Sequence, residues 1–197
     1  PTPGADMANP HIPREQIHAW VDEIDRNKPA HKPAIEMLLS GQRPLVRYIA
    51  KGTAAIPIDR KSTVAFITGV LIRIMDLTGG VVNKVDKKTL QIAENRIASW
   101  APRVLPPDDG FADRVRQVEE RAQSHLVDEC LVDLFENPEL DRVRSAKLFL
   151  LAWIVIEALD MKFVPPAGLQ GQAPSKPGDP LDLDAADGVR RRRGEFG

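Results

Sequence analysis

The 197-residue sequence contains one cysteine, Cys130. A single thiol cannot close an intramolecular disulfide or build a multi-cysteine zinc site, and it suits a reducing interior. Aromatic residues make up only 5% of the chain, and no glycine-rich phosphate loop, nucleophile elbow or paired-cysteine motif is present. The enzyme classes that those motifs announce are therefore not indicated. Charge of one sign is also lacking: 27 Lys and Arg against 28 Asp and Glu give a formal net charge of -1. That balance excludes a uniformly basic binder of nucleic acid or of an anionic membrane. Long hydrophobic runs are missing too. The two longest apolar stretches, 63–75 and 148–159, fall short of the roughly 20 residues that span a bilayer, and Arg73 and Glu157 interrupt or end them. Both read as buried core helices, and no membrane role is expected. The opening residues lack the basic, apolar and small-residue order of an export signal, so a cytoplasmic protein is expected. Pro1 fits removal of an initiator methionine and Met7 fits an alternative start; the residues leave both readings open.

What the chain does have is 43% hydrophobic residues, enough for a sizeable core. The helical period of 3.6 recurs along it and the strand period of 2 hardly appears. The expected fold is all-α, a compact bundle of about seven helices, three short ones followed by four long ones. This domain is assigned to residues 11–163, between a flexible N-terminus (1–10) and a disordered tail (164–197).

Prolines and caps place the helices. The first runs from about Pro13 to before Pro29, with Ile17, Trp20, Val21 and Ile24 on one face. Two short helices are expected at 33–40 and 44–51, each stopped by a glycine. A fourth, about 60–77, is apolar nearly all round and must be central, and its Gly69 admits a close neighbour. A fifth begins after Asp86, a good N-cap, and meets the breaking prolines 102, 106 and 107. The sixth is read as one helix from about 109 to 135. The seventh is read as capped by Asn137, with Pro138 and Glu139 in its first turn, continuing to about Lys162 as the second arm of an antiparallel hairpin.

The tail is rich in proline, glycine and aspartate, and cannot bury enough apolar surface to offset a backbone ordering cost of about 1–2 kcal/mol per residue. Within it, Leu181 and Leu183 stand among carboxylates as anchors for a tethered partner, and Arg190, Arg191, Arg192 and Arg193 form a basic cluster suited to phosphate or to a carboxylate-lined groove. The closing Gly-Glu-Phe-Gly resembles a cloning remnant.

Charge is polarised even though it sums to nearly zero. Lys28, Lys32, Arg43, Arg47, Lys51, Arg60 and Lys61 outnumber Glu36 and Asp59 in one stretch, whereas acidic residues dominate 105–141. Arg43, Arg47 and Lys51 are spaced by four and form a stripe on the third helix. Two short helices in succession invite comparison with a helix-turn-helix, but Pro44 replaces the polar residue that would reach a base edge, and a packed hairpin fits better. Glu15 with His18, and His125 with Glu129, are incomplete metal-ligand pairs, so no metal site and no cofactor are expected. Arg73 and Glu157 lie in the two most apolar helices, where unpaired charge is costly, and are expected to pair with each other, with Asp76 or Asp160 assisting. The functional expectation is a non-enzymatic intracellular adaptor or assembly protein. It would bind a protein partner, or another copy of itself, through the basic stripe or the tail. Two alternatives stand behind it: a nucleic-acid-associated regulator using residues 28–61, and a helical enzyme or ligand sensor with a pocket between helices.

Overall fold

A computed structural model describes residues 9–54, 65–138 and 140–169. It is all-helical with almost no strand. Eight α-helices lie among the described residues: α1 (Arg14–Arg26), α2 (Lys28–Gly41), α3 (Arg43–Gly52), α4 (Leu71–Leu77), α5 (Lys87–Val104), α6 (Phe111–Arg116), α7 (Ser124–Phe135) and α8 (Arg142–Asp160). A π-helical turn, Ala65–Val70, leads into α4. Two short strands, β1 (Val81–Val82) and β2 (Phe163–Val164), pair antiparallel with Val82 opposite Phe163.

The central element is α8, which is buried on nearly every side from Ser145 to Asp160. It packs between α5 and α7. Trp153 of α8 meets Trp100 of α5 at 5.3 Å and Phe149 at 5.6 Å, and Phe149 continues the aromatic column to Phe111 of α6. The scarce aromatics are thus spent on the core. The expected hairpin of α7 and α8 is antiparallel: Ser145 Oγ donates to Leu134 O at one end, and Glu157 accepts from Ala122 N–H at the other.

Three boundaries differ from expectation for identifiable reasons. The second helix begins at Lys28 rather than 33, because Pro29 falls in the first turn, where N–H groups have no helical partner, and Pro33 costs only one bond. The last helix is capped by Asp141, whose carboxylate accepts Arg144 N–H at 2.9 Å; Asn137 instead closes a preceding turn through its carbonyl. The expected single helix over 109–135 is two helices, α6 and α7. Arg121, only 3% exposed, turns its guanidinium onto the carbonyls of Arg116 and Val118, which a continuous helix would have bonded to backbone N–H groups. The N–H of Ala122 is thereby freed and is taken by Glu157. Gln123, at φ 46°, completes the break.

Gly69 behaves as expected. A Cβ there would sit 2.7 Å from Ile35 Cγ2, so α2 crosses the π-helical turn at a distance only glycine permits. At the edges of the described residues, the Asn9 amide donates to Asp160 O at 2.7 Å and to Phe163 O at 3.1 Å. Val164 belongs to β2, and the described chain continues to Leu169, which packs on the core.

Candidate functional site

Two surfaces carry the chemistry. The first is α3. Leu45 and Ile49 are buried, and Gly52 lets α8 approach so closely that a Cβ would lie 3.0 Å from the Leu151 side chain. The helix is fixed at its start by Gln42, which donates to Asn83 O at 3.2 Å and accepts Val85 N–H at 2.9 Å. With the apolar face so held, Arg43, Arg47 and Lys51 project as an exposed stripe. None of the three is in an ion pair among the described residues. On the acidic side the carboxylates are largely answered by near neighbours: Asp108 by Arg114 at 2.7 Å, Asp109 by Arg142 at 2.5 Å, and Asp113 by Arg116 at 3.3 Å.

A single residue, Gln42, joins α2 to α3, shorter than the turn of about three to four residues in a helix-turn-helix. Met37 is 70% exposed, so it is not buried between α2 and α3. Leu181, Leu183, Arg190, Arg191, Arg192 and Arg193 lie outside the described residues, as do Arg60 and Lys61.

Arg73 and Glu157 do not pair with each other. Arg73 donates from Nε to His31 Nδ1 at 3.3 Å and pairs with Asp76 one turn along. His31 Nε2 in turn lies 3.7 Å from Glu23, so a polar chain ties α4 to α2 and α1. Glu157 is fully buried and faces the other way. It accepts Arg96 Nη1 from α5 at 2.8 Å and Ala122 N–H at 2.9 Å. Both charges are partnered, and Asp76 assists Arg73 as expected; the direct Arg73–Glu157 pair is absent because the helices present these residues to different neighbours.

The second surface is a cleft of about 620 Å³ beside Arg96. Its walls are an N-terminal strap (9–12), the exposed side of α5, the turn before α7, and the segment from Asp160 into β2. The strap is held by several bonds. Gln123 Oε1 accepts Ile12 N–H at 2.9 Å, its Nε2 donates to Pro10 O at 3.1 Å and Asp160 Oδ1 at 2.8 Å, and Ile12 itself is completely buried. His11 lies 2.9 Å from Ser124 Oγ and accepts Ser124 N–H on Nδ1 at 3.2 Å. A backbone donor on Nδ1 puts the neutral ring's proton on Nε2. Burial, with His125 and Arg121 nearby, pushes His11 down to about 4. Burial pushes the carboxyls of Glu157 and Asp160 up, against the hydrogen bonds that each accepts. Arg121 meets Asp128 at 2.7 Å with both side chains buried.

The histidines of the two metal-ligand pairs meet residues of other elements. His18 bonds Glu129 across α1 and α7 at 3.0 Å, and that bond raises its pKa. His125 is buried edge-on to His11, 6.3 Å between ring centroids. Among the described residues no group of three metal-ligating side chains converges, and no helix is long and apolar enough to cross a membrane. Cys130 is buried, which pushes its thiol up and away from reactivity.

Sequence reading missed Arg96, His11, Gln123 and Arg121. Their only signals were polar residues beside apolar ones, a pattern shared with ordinary surface helices. No protein-family model, curated protein or solved structure matches this chain, so both surfaces are read from their own geometry.

Proposed function

We propose that the protein is a non-enzymatic adaptor or assembly factor of the cytoplasm that meets an acidic protein surface through the basic face of α3. The observation that supports this most is the exposure of Arg43, Arg47 and Lys51 without an ion-pair partner among the described residues. The helix beneath them is held rigidly by Gln42 and by buried Leu45 and Ile49. Three cations along about 12 Å of fixed helix form a preorganised counterpart to carboxylates one turn apart on a partner helix. Such a surface sets association rate and specificity more than raw affinity. The acidic helix of a second copy is one such partner.

The test compares the full chain with a variant carrying Arg43→Glu, Arg47→Glu and Lys51→Glu, each immobilised and offered lysate of the native host with and without nuclease treatment. Proteins recovered by the first, lost with the second and released by high salt are the expected result. Equal recovery by both chains contradicts the reading. Recovery that disappears on nuclease treatment moves the surface to a nucleic-acid partner.

A further inference from the structure

In the cleft, most of the carboxylates are answered from within, as are Lys162 and Arg121, whereas Arg96 and Lys88 keep donors to spare. Asp86 Oδ1 accepts Thr89 N–H at 2.8 Å and Thr89 Oγ at 3.1 Å, and its other oxygen lies 3.2 Å from Lys162 Nζ. Both oxygens of Glu157 are engaged, one by Ala122 N–H and one by Arg96. The Asp160 carboxylate accepts from Gln123 Nε2 at 2.8 Å, and its backbone carbonyl accepts from Asn9. Glu120, exposed at the rim, is the one lining carboxylate without a partner among the described residues.

Donors are in excess. Arg96 has about five N–H groups and gives one to Glu157, while its side chain remains 43% exposed beside the cleft. Lys88, two turns earlier on the same face of α5, is exposed and in no ion pair among the described residues. His11 is only 8% exposed, lines the cleft, and has Nδ1 already occupied, which leaves Nε2–H with no acceptor among the described residues. Since the ring stays neutral down to about pH 4, it offers a hydrogen bond rather than a charge through the neutral range.

From this excess we propose that the cleft binds a small organic anion bearing a carboxylate or phosphate group, held by Arg96 and Lys88 and oriented by His11. Arg96 supplies a charge-assisted bond from a guanidinium already fixed by Glu157, so little side-chain freedom is lost on binding. Lys88 adds a mobile second cation at the mouth. The volume suits such a ligand, since small-molecule sites span about 300–1,000 Å³. This site does not depend on the α3 surface, and a bound anion would brace the strap against α5.

The full chain is titrated calorimetrically with inorganic phosphate and with citrate, which separate the phosphate and carboxylate arms, and with glucose as a neutral control. Saturable binding of at least one anion and none of glucose is expected, with Kd weakened about tenfold or more in Lys88→Gln and further in Arg96→Gln. Arg96→Gln also deprives buried Glu157 of its cation, so Lys88→Gln, at an exposed position, keeps the test decisive if the other variant does not fold. Binding must survive the triple charge reversal on α3. The proposal is overturned if neither anion binds, if Lys88→Gln binds as tightly as the parent, or if the α3 variant loses binding.

Discussion

On α3, Arg43, Arg47 and Lys51 are exposed with no ion-pair partner among the described residues; behind the strap, Arg121 is 3% exposed and is met by Asp128 and by two backbone carbonyls. Water solvates the first set, and the protein solvates the second. A cation hydrated by water is a free parameter of the fold, available to an outside partner at small cost. A cation taken out of water is tolerated only where other groups replace the lost hydration, so it becomes part of what specifies the structure. The two regions should therefore respond in opposite ways to loss of charge.

The largest effect is expected at Arg121. Arg121→Leu leaves Asp128 buried with the longer Arg14 contact, at 3.6 Å, in place of the close pair, and also releases the carbonyls of Arg116 and Val118. Removing one member of a buried pair typically costs about 3–5 kcal/mol, and urea denaturation should show a loss of that order. A loss under about 1 kcal/mol would mean that the break between α6 and α7 is held by something else, and the contrast with α3 would fall.

Acid sharpens the comparison by acting on the strap. His11 titrates at about 4 in the folded protein against 6.5 when unfolded, so the unfolded chain takes up its proton first. Its contribution is intact above pH 6.5 and is lost as pH falls toward 4. His125, also lowered by burial, adds in the same direction. Glu157 and Asp160 oppose it, because their raised pKa values make protonation favour the folded state as pH falls. Comparing the parent with His11→Gln isolates the histidine: their denaturation midpoints should converge as pH drops from 7 to 4. Midpoints that stay parallel would show that His11 does not exchange solvent for Ser124 in the way described.

How legible was this from sequence? Periodicity marks the helices because burial on one face forces it: Ile17 and Ile24, Leu45 and Ile49, and Leu90, Ala93 and Ile97 all lie inward as their spacing requires. Asp86 was readable as a cap because capping is a local contact, made with Thr89 three residues on. The break at 117–123 was not, since it depends on a guanidinium competing for carbonyls and on Glu157 arriving from 35 residues away to take a single N–H. Charge in an apolar helix signalled that Glu157 needed a partner, but choosing Arg96 over Arg73 needs the rotation of α8 about its axis, and the hydrophobic pattern does not set it when nearly every face is buried. The exposed stripe on α3 was legible for the opposite reason: four-residue spacing beside two buried residues leaves it only one direction.

The smallest effect, and the one on which the adaptor reading depends, belongs to α3. Arg47 stands between Arg43 and Lys51 at i,i+4 spacing on both sides, and each like-charged pair of that kind costs about 0.2–0.5 kcal/mol. Arg47→Gln should therefore leave stability unchanged or raise it by up to about 1 kcal/mol, and added salt should shrink the gain because exposed charges are screened. Tm measured at low and high ionic strength reads both statements. A gain that salt erases says the stripe is a strained, solvated surface kept in spite of the fold rather than because of it, as expected of charge retained for a partner. A loss of more than about 1 kcal/mol says that Arg47 works within the molecule, in which case α3 is one more wall of the bundle and its basic face is not free to bind.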